Sequence, residues 1–300
     1  MELLLKLVPL PQDIVGYILI DIVIALFLLL LIRWLSGTTN KISVTEELSS
    51  KDNFAFGISI AGRMLALCIV LAAVVGRHIG LGYEIAAMGT LLFGAIGIVL
   101  IKIGRVTHDK LILHRLDKDQ TIAERNTSVA IVDASSAIAT AIIIHGSIQW
   151  VQGTDTNAVV GILTGFFIVL MILLLTTRLY ELRFAKNNQN DSFQGMLRRN
   201  NLALGIQHSG NLIGTALVVS GCGRILAYDA QTYITNITGW LIGGVIAALS
   251  LAVVVGLAKR LVLVGINWKQ EVDVQDNIGV AALEWVLSVG LAAIVIGALV

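Results

Sequence analysis

Long apolar runs alternate with short polar segments along the whole chain. Eight runs stand out, near 14–35, 53–76, 84–105, 126–149, 158–180, 201–222, 236–258 and 277–299. Each meets the roughly 20 residues that a helix needs to cross about 30 Å of hydrocarbon. Short segments alternating polar and apolar, the mark of a membrane barrel, are missing. Inside lipid the backbone has to satisfy its own hydrogen bonds, which leaves helices. The pattern predicts an all-α polytopic membrane protein with eight transmembrane helices. A cleavable leader is not expected, because the first apolar run is too long and no small-residue cleavage site follows it.

The polar segments set the orientation. Loops after the first, third, fifth and seventh helices hold most of the basic residues, including Arg33, Arg105, Lys118, Arg178, Arg198 and Lys259. The other side holds only Lys6, Arg77 and Arg224. Basic loops stay in the cytoplasm, so both termini are expected to be periplasmic or extracellular. Trp34 and Tyr180 read as aromatic anchors on the inner side. Tyr83, Trp150, Tyr233 and Trp240 read the same way on the outer side.

The chain also repeats. NFAFGISIAGRM from Asn53 matches NLALGIQHSGNL from Asn201, and NTSVAIVDASSA from Asn126 aligns more weakly with NIGVAALEWVLS from Asn277. The second alignment places Asp133 on Glu284. Two four-helix repeats are expected, 1–150 and 151–300. With an even number of helices each, both share one orientation, about an axis along the membrane normal. A finer echo runs through them: Asn53, Asn126, Asn201 and Asn277 each open an even-numbered helix. Asparagine oxygen caps free backbone N–H groups there. Four such N-termini at one level would also make a weakly positive cytoplasmic vestibule.

The segments KDNFAFGISIAG at 51–62 and ERNTSVAIVDASSAIA at 124–139 resemble the YjfL-like bacterial inner-membrane family, catalogued as domain of unknown function 350. The chain resembles two copies of the family unit. The second departs, with NNLALGIQHSG in place of the DN start and NIGVAALEWV in place of the VDA stretch. The resemblance implies an inner-membrane location and this topology, but no activity. Members stand near envelope-stress coat proteins of the phage-shock type and near amide-forming ligases, which implies a cytoplasmic membrane-stress protein as partner.

Composition agrees: 56% of the 300 residues are hydrophobic and 14% charged, against about 25% charged in soluble domains. A net charge of +1 speaks against nucleic acid as a partner. The lipid bilayer is the expected environment. Cys68 and Cys222 read as small hydrophobes, since their spacing fits neither a metal nor a disulfide.

The candidate chemistry lies inside the apolar runs. Arg63 sits about ten residues into its helix, where a charge costs at least about 2.5–3.5 kcal/mol on insertion scales. Seven residues past the four asparagines stand Ile60, Asp133, His208 and Glu284; ten past stand Arg63, Ser136, Asn211 and Leu287. Arg63 is about 4–5 Å deeper than Asp133 by helical rise, so Asp133 is its expected partner. His208 and Glu284 are level and form the second expected pair, with Asn211 one turn from His208 and Gln207 beside it. The first pair would stay charged and the second would titrate. Both also suit plain helix-to-helix bonding. Asp21 is a lone acid. Gly161 with Gly165, Gly210 with Gly214, and Gly239 with Gly243 permit close helix approach, within the chain or in a homo-oligomer. The loop 105–126 reads as a solvated basic face for headgroups or a cytoplasmic partner; His108, Asp109 and His114 fit no metal site. No nucleotide, hydrolase or metalloprotease motif occurs, so no enzyme activity and no cofactor are expected. Two functions remain: a passive or ion-coupled transporter or channel, or a non-transporting scaffold that anchors an envelope-stress partner.

Overall fold

The computed structural model describes residues 10–40, 42–151, 156–189 and 191–299. Its eight long apolar helices are α1 (Ile14–Asn40), α2 (Phe54–Val74), α3 (Tyr83–Leu111), α5 (Thr127–Trp150), α6 (Thr156–Asn187), α8 (Leu202–Gly221), α9 (Tyr233–Val262) and α11 (Ile278–Gly297). All eight are long and apolar enough to cross a membrane. Three short helices, α4 (Lys118–Ala123), α7 (Phe193–Arg198) and α10 (Trp268–Asp273), and one π-helical turn (Glu46–Ser50) precede α5, α8, α11 and α2.

The long helices form two layers. In the inner layer α2, α5, α8 and α11 lie side by side in that order, all parallel. In the outer layer α1 packs with α3, and α6 packs with α9. The centre of the inner row is the most enclosed: 78% of the α5 span is buried, against 11% of α1 and 28% of α11. Small residues let the inner helices touch. A Cβ on Gly62 would fall 2.4 Å from the Ala134 Cβ, one on Gly205 would fall 2.7 Å from the Ser128 Oγ, and one on Gly214 would fall 2.7 Å from the Ser288 carbonyl oxygen. Close approach is how helices associate where lipid removes the hydrophobic drive.

The four asparagines organise one end of this row. Each side-chain oxygen accepts from the N–H three residues on: Phe56 (3.1 Å), Val129 (2.9 Å), Leu204 (2.8 Å) and Val280 (3.2 Å). The residue before each asparagine, Asp52, Arg125, Asn200 or Asp276, has a left-handed backbone, with φ between 47° and 68°. It turns the chain out of the short helix, as helix C-termini commonly do. Meanwhile the side-chain amide of Asn53 donates to the Ile122 and Ala123 carbonyls that end α4. Asn126 does the same to Leu197 and Arg198 at the end of α7, and Asn201 to Val272 and Asp273 at the end of α10. The fold is thus four units of two long helices, each capped by its own asparagine, and the first three asparagines also tie their unit to the next.

The weakly positive cytoplasmic vestibule expected at these asparagines is corrected here. Asn53, Asn126 and Asn201 are buried, and carbonyls ending the next short helix occupy their amide groups. A second correction concerns Trp150 and Trp240. Both are buried rather than set at a lipid interface. Their rings meet edge to face at 5.3 Å, and the Trp150 indole N–H donates to the Leu226 carbonyl at 2.9 Å.

Candidate functional site

Asp133 lies six residues into α5 and is fully buried. Arg105, six residues before the end of α3, comes level with it, because α3 runs antiparallel to α5 and both depths are about 9 Å at 1.5 Å per residue. The Arg105 guanidinium donates twice to the Asp133 Oδ1, at 2.6 and 3.1 Å. Lys118 Nζ, turned inward from α4, is 2.8 Å from the same oxygen and also pairs with Asp109. On the other side the Ser59 hydroxyl donates to Oδ2 at 2.5 Å, and Arg63 stands 3.4 Å away. Ser59 and Arg63 are one turn apart on α2, so one face presents both, and Arg63 donates to Ser59 at 2.9 Å and to Ser36 of α1 at 3.2 Å. Three cations therefore converge on one carboxylate, with Asp109 as a second counter-charge.

Glu284 holds the same place in the second half. It is 1% exposed. Lys259 Nζ of α9 is 3.0 Å from its Oε1, and the Gln207 amide donates to its Oε2. Gln207 in turn accepts from the Tyr180 hydroxyl. The expected His208–Glu284 pair does not form. Gln207 and His208 are neighbours on α8 and point about 100° apart, so Gln207 takes Glu284 and His208 turns away. His208 sits against Phe193, Tyr180 and His108, with ring centroids 4.7, 5.4 and 6.1 Å off.

Comparison with known protein families finds a match over nearly the whole chain. The family described as Domain of Unknown Function (DUF350) covers residues 8–148 and again residues 154–299. The chain belongs to this family. The match carries the family and its duplication, not the YjfL-like label. Comparison with curated proteins and with solved structures finds no match. In this tandem DUF350 protein the acid of each copy, Asp133 or Glu284, is thus neutralised at one depth by a cation from the preceding long helix, Arg105 or Lys259.

The remaining candidates divide. Asn211 accepts from the Ser288 hydroxyl at 3.3 Å, an α8–α11 contact away from the acids. Asp21 accepts from Thr90 at 2.7 Å. His108, Asp109 and Lys118 are not part of a solvated loop: α3 continues through Leu111, and His108 and Lys118 are buried. Arg105, Lys118 and Lys259 were missed as site residues because the apolar windows end at 105 and 258, so all three count as loop charge. The Ser59–Arg63 spacing was a usable signal, since it aims a hydroxyl and a guanidinium at one neighbour.

Chemically, the first cluster is an ion network in which both oxygens of Asp133 are fully engaged. Buried charges are retained when paired and hydrogen-bonded, and Asp133 meets both conditions. Among the described residues, the nitrogens of His108 and His208, the Oδ1 of Asp109, the Nε of Arg63 and the Oε1 of Glu284 are buried without a hydrogen-bond partner, although Lys259 stands 3.0 Å from the last of these. An open groove of about 430 Å³ lies elsewhere, on the basic end of α1 beside Arg33, Trp34 and Val44; a closed apolar void of about 10 Å³ lies among α3, α5 and α6. Neither touches Asp133, His208 or Glu284.

Proposed function

We propose that this membrane protein is a non-transporting scaffold of the bacterial inner membrane. Its basic loops face the cytoplasm, both termini face outward, and it anchors a cytoplasmic membrane-stress protein. The observation that carries the reading is the saturation of Asp133 by Ser59, Arg63, Arg105 and Lys118, at zero exposure. An ion or proton pathway needs groups that exchange partners with water, whereas a locked network ties α2, α3, α4 and α5 into one body. The open groove beside Arg33 and Trp34 supplies a surface at the basic end for a partner.

A transporter or channel is the second reading. It is favoured by His108, His208 and Asp109, which keep unpartnered titratable atoms at the junction of the two copies. Flux through purified protein in liposomes separates the two. A scaffold passes no more proton, cation or anion than empty vesicles at any pH tested. Flux that disappears in folded Glu284→Gln or Asp133→Asn protein would overturn the scaffold and put the pathway at the acids.

A further inference from the structure

The inner row is built by repeating one contact, and among the described residues it does not close on itself. In α2 the residues two, nine, thirteen and twenty places after the asparagine are Ala55, Gly62, Ala66 and Ala73, all buried. The same places in α5 and α8 hold only Ser, Ala and Gly, and they face the next helix along: Ser128 meets Gly205, Gly146 meets Ser220, and Gly214 meets Ser288. In α11 the places are Gly279, Val286, Gly290 and Gly297. Among the described residues no further helix packs on this face. Val286 is 56% exposed. A Cβ on Gly290 would meet only Val286 of its own helix, and one on Gly297 would meet nothing.

The opposite end shows the complementary face. The places that receive each preceding helix fall four, eight, fifteen and nineteen after the asparagine. In α5 the first three are Ala130, Ala134 and Ala141, all buried. In α2 the four are Gly57, Ala61, Cys68 and Ala72; Gly57 is half-buried and the other three are exposed.

Polar groups at the two ends match as well. Between the second and third units the Ser128 N–H donates to Asn200 Oδ1 at 3.0 Å, and between the third and fourth the Ala203 N–H donates to Asp276 Oδ1 at 2.7 Å. The donor is the second residue past the asparagine, and the acceptor is the left-handed residue of the next unit. The terminal counterparts are the Gly279 N–H and the Asp52 carboxylate, an acceptor of the same kind. Neither makes such a bond among the described residues. Among the described residues Asn277 likewise donates only to Glu271 of its own unit, whereas the other three asparagines reach the next short helix. The π-helical turn that would receive it ends in exposed Ser49 and Ser50.

We infer that copies of this chain associate head to tail in the membrane plane, with the free face of α11 in one copy packed on the free face of α2 in the next. The contact is the internal α2–α5, α5–α8 and α8–α11 contact made once more, between chains. It is heterologous, so it propagates until the rotation closes a ring. The inference stands apart from the proposed function, because it does not depend on whether the polar cluster conducts.

The internal register fixes the test. Gly62, nine after its asparagine, meets Ala134, eight after its own, and Gly210 meets Trp285 in the same way. Val286 should therefore face Ala61 of a second copy. Ala61→Cys and Val286→Cys are placed together in full-length protein carrying Cys68→Ser, and membranes are oxidised before solubilisation. A ladder of crosslinked multimers is expected from the double variant, and dimers alone from co-expressed single variants. A monomer band whose thiols label fully after solubilisation would overturn the inference. So would crosslinking of either single variant to itself, which marks a two-fold contact.

Discussion

Replacing Asp133 by asparagine keeps the shape of the side chain and removes its charge. The network then holds Arg63, Arg105 and Lys118 against Asp109 alone. At an effective dielectric near 20, a unit charge pair about 3 Å apart is worth roughly 5 kcal/mol before desolvation is counted. Desolvation offsets several kcal/mol per ion, and removing one partner of a buried pair costs about 3–5 kcal/mol net. Asp133 stands at the upper end of that range, because two guanidinium bonds and one ammonium contact share its Oδ1. At about 2–4 °C per kcal/mol, the melting temperature should fall by on the order of 10 °C. Buried Trp150 and Trp240 make intrinsic fluorescence a usable probe in detergent or nanodiscs. Adding Arg105→Met to Asp133→Asn removes the cation whose ion-pair partner has been lost, while Lys118 keeps Asp109, and should restore part of the loss. An Asp133→Asn protein that melts with wild type would refute the network as a source of stability, as would an Arg105→Met change that deepens the loss.

Two further outcomes follow from the same geometry. Asn126→Asp keeps the cap on Val129 but sets a carboxylate against the Leu197 and Arg198 carbonyls; it should cost about 1–3 kcal/mol, the range for a lost buried hydrogen bond, and a neutral result in a melting assay would show that capping is the side chain's whole role. Burial, with Glu284 nearby, raises the Asp273 carboxyl above its ordinary 3.8, while Asn188 opposes the shift. The folded chain therefore holds this proton more tightly than the unfolded one, and the stability it adds is full below 3.8 and lost as pH rises through the raised value. Asp273→Asn should be more stable than wild type at pH 7, and the difference in melting temperature between the two should shrink as pH falls; a constant difference would contradict this.

How far the sequence carried depended on which coordinate each residue had to satisfy. Membrane spans follow from apolar length, so all eight were legible, and depth follows from counting along a helix, which put Arg63 beside Asp133. Azimuth does not follow from depth. His208 and Glu284 are level, yet one residue of rotation gave Glu284 to Gln207. Helix ends were the other gap. Lipid-crossing windows stop at charge, whereas α3 and α9 run on to Leu111 and Val262 because Arg105 and Lys259 find buried acids. The asparagines were legible as caps; their second bond needed α4, α7 and α10, short elements that polar sequence disguised as loops.

The claim at the centre of this account is that the acids lie in a sealed network, and thiol accessibility tests it most directly. Ser136→Cys, one turn past Asp133 on α5 and buried, is introduced with Cys68→Ser and exposed in intact membranes to small water-borne thiol reagents from each side in turn. The network requires that this thiol stay unmodified from both sides and react once the protein is unfolded. Modification of the folded protein from either side would show water reaching Asp133 and would contradict the scaffold reading.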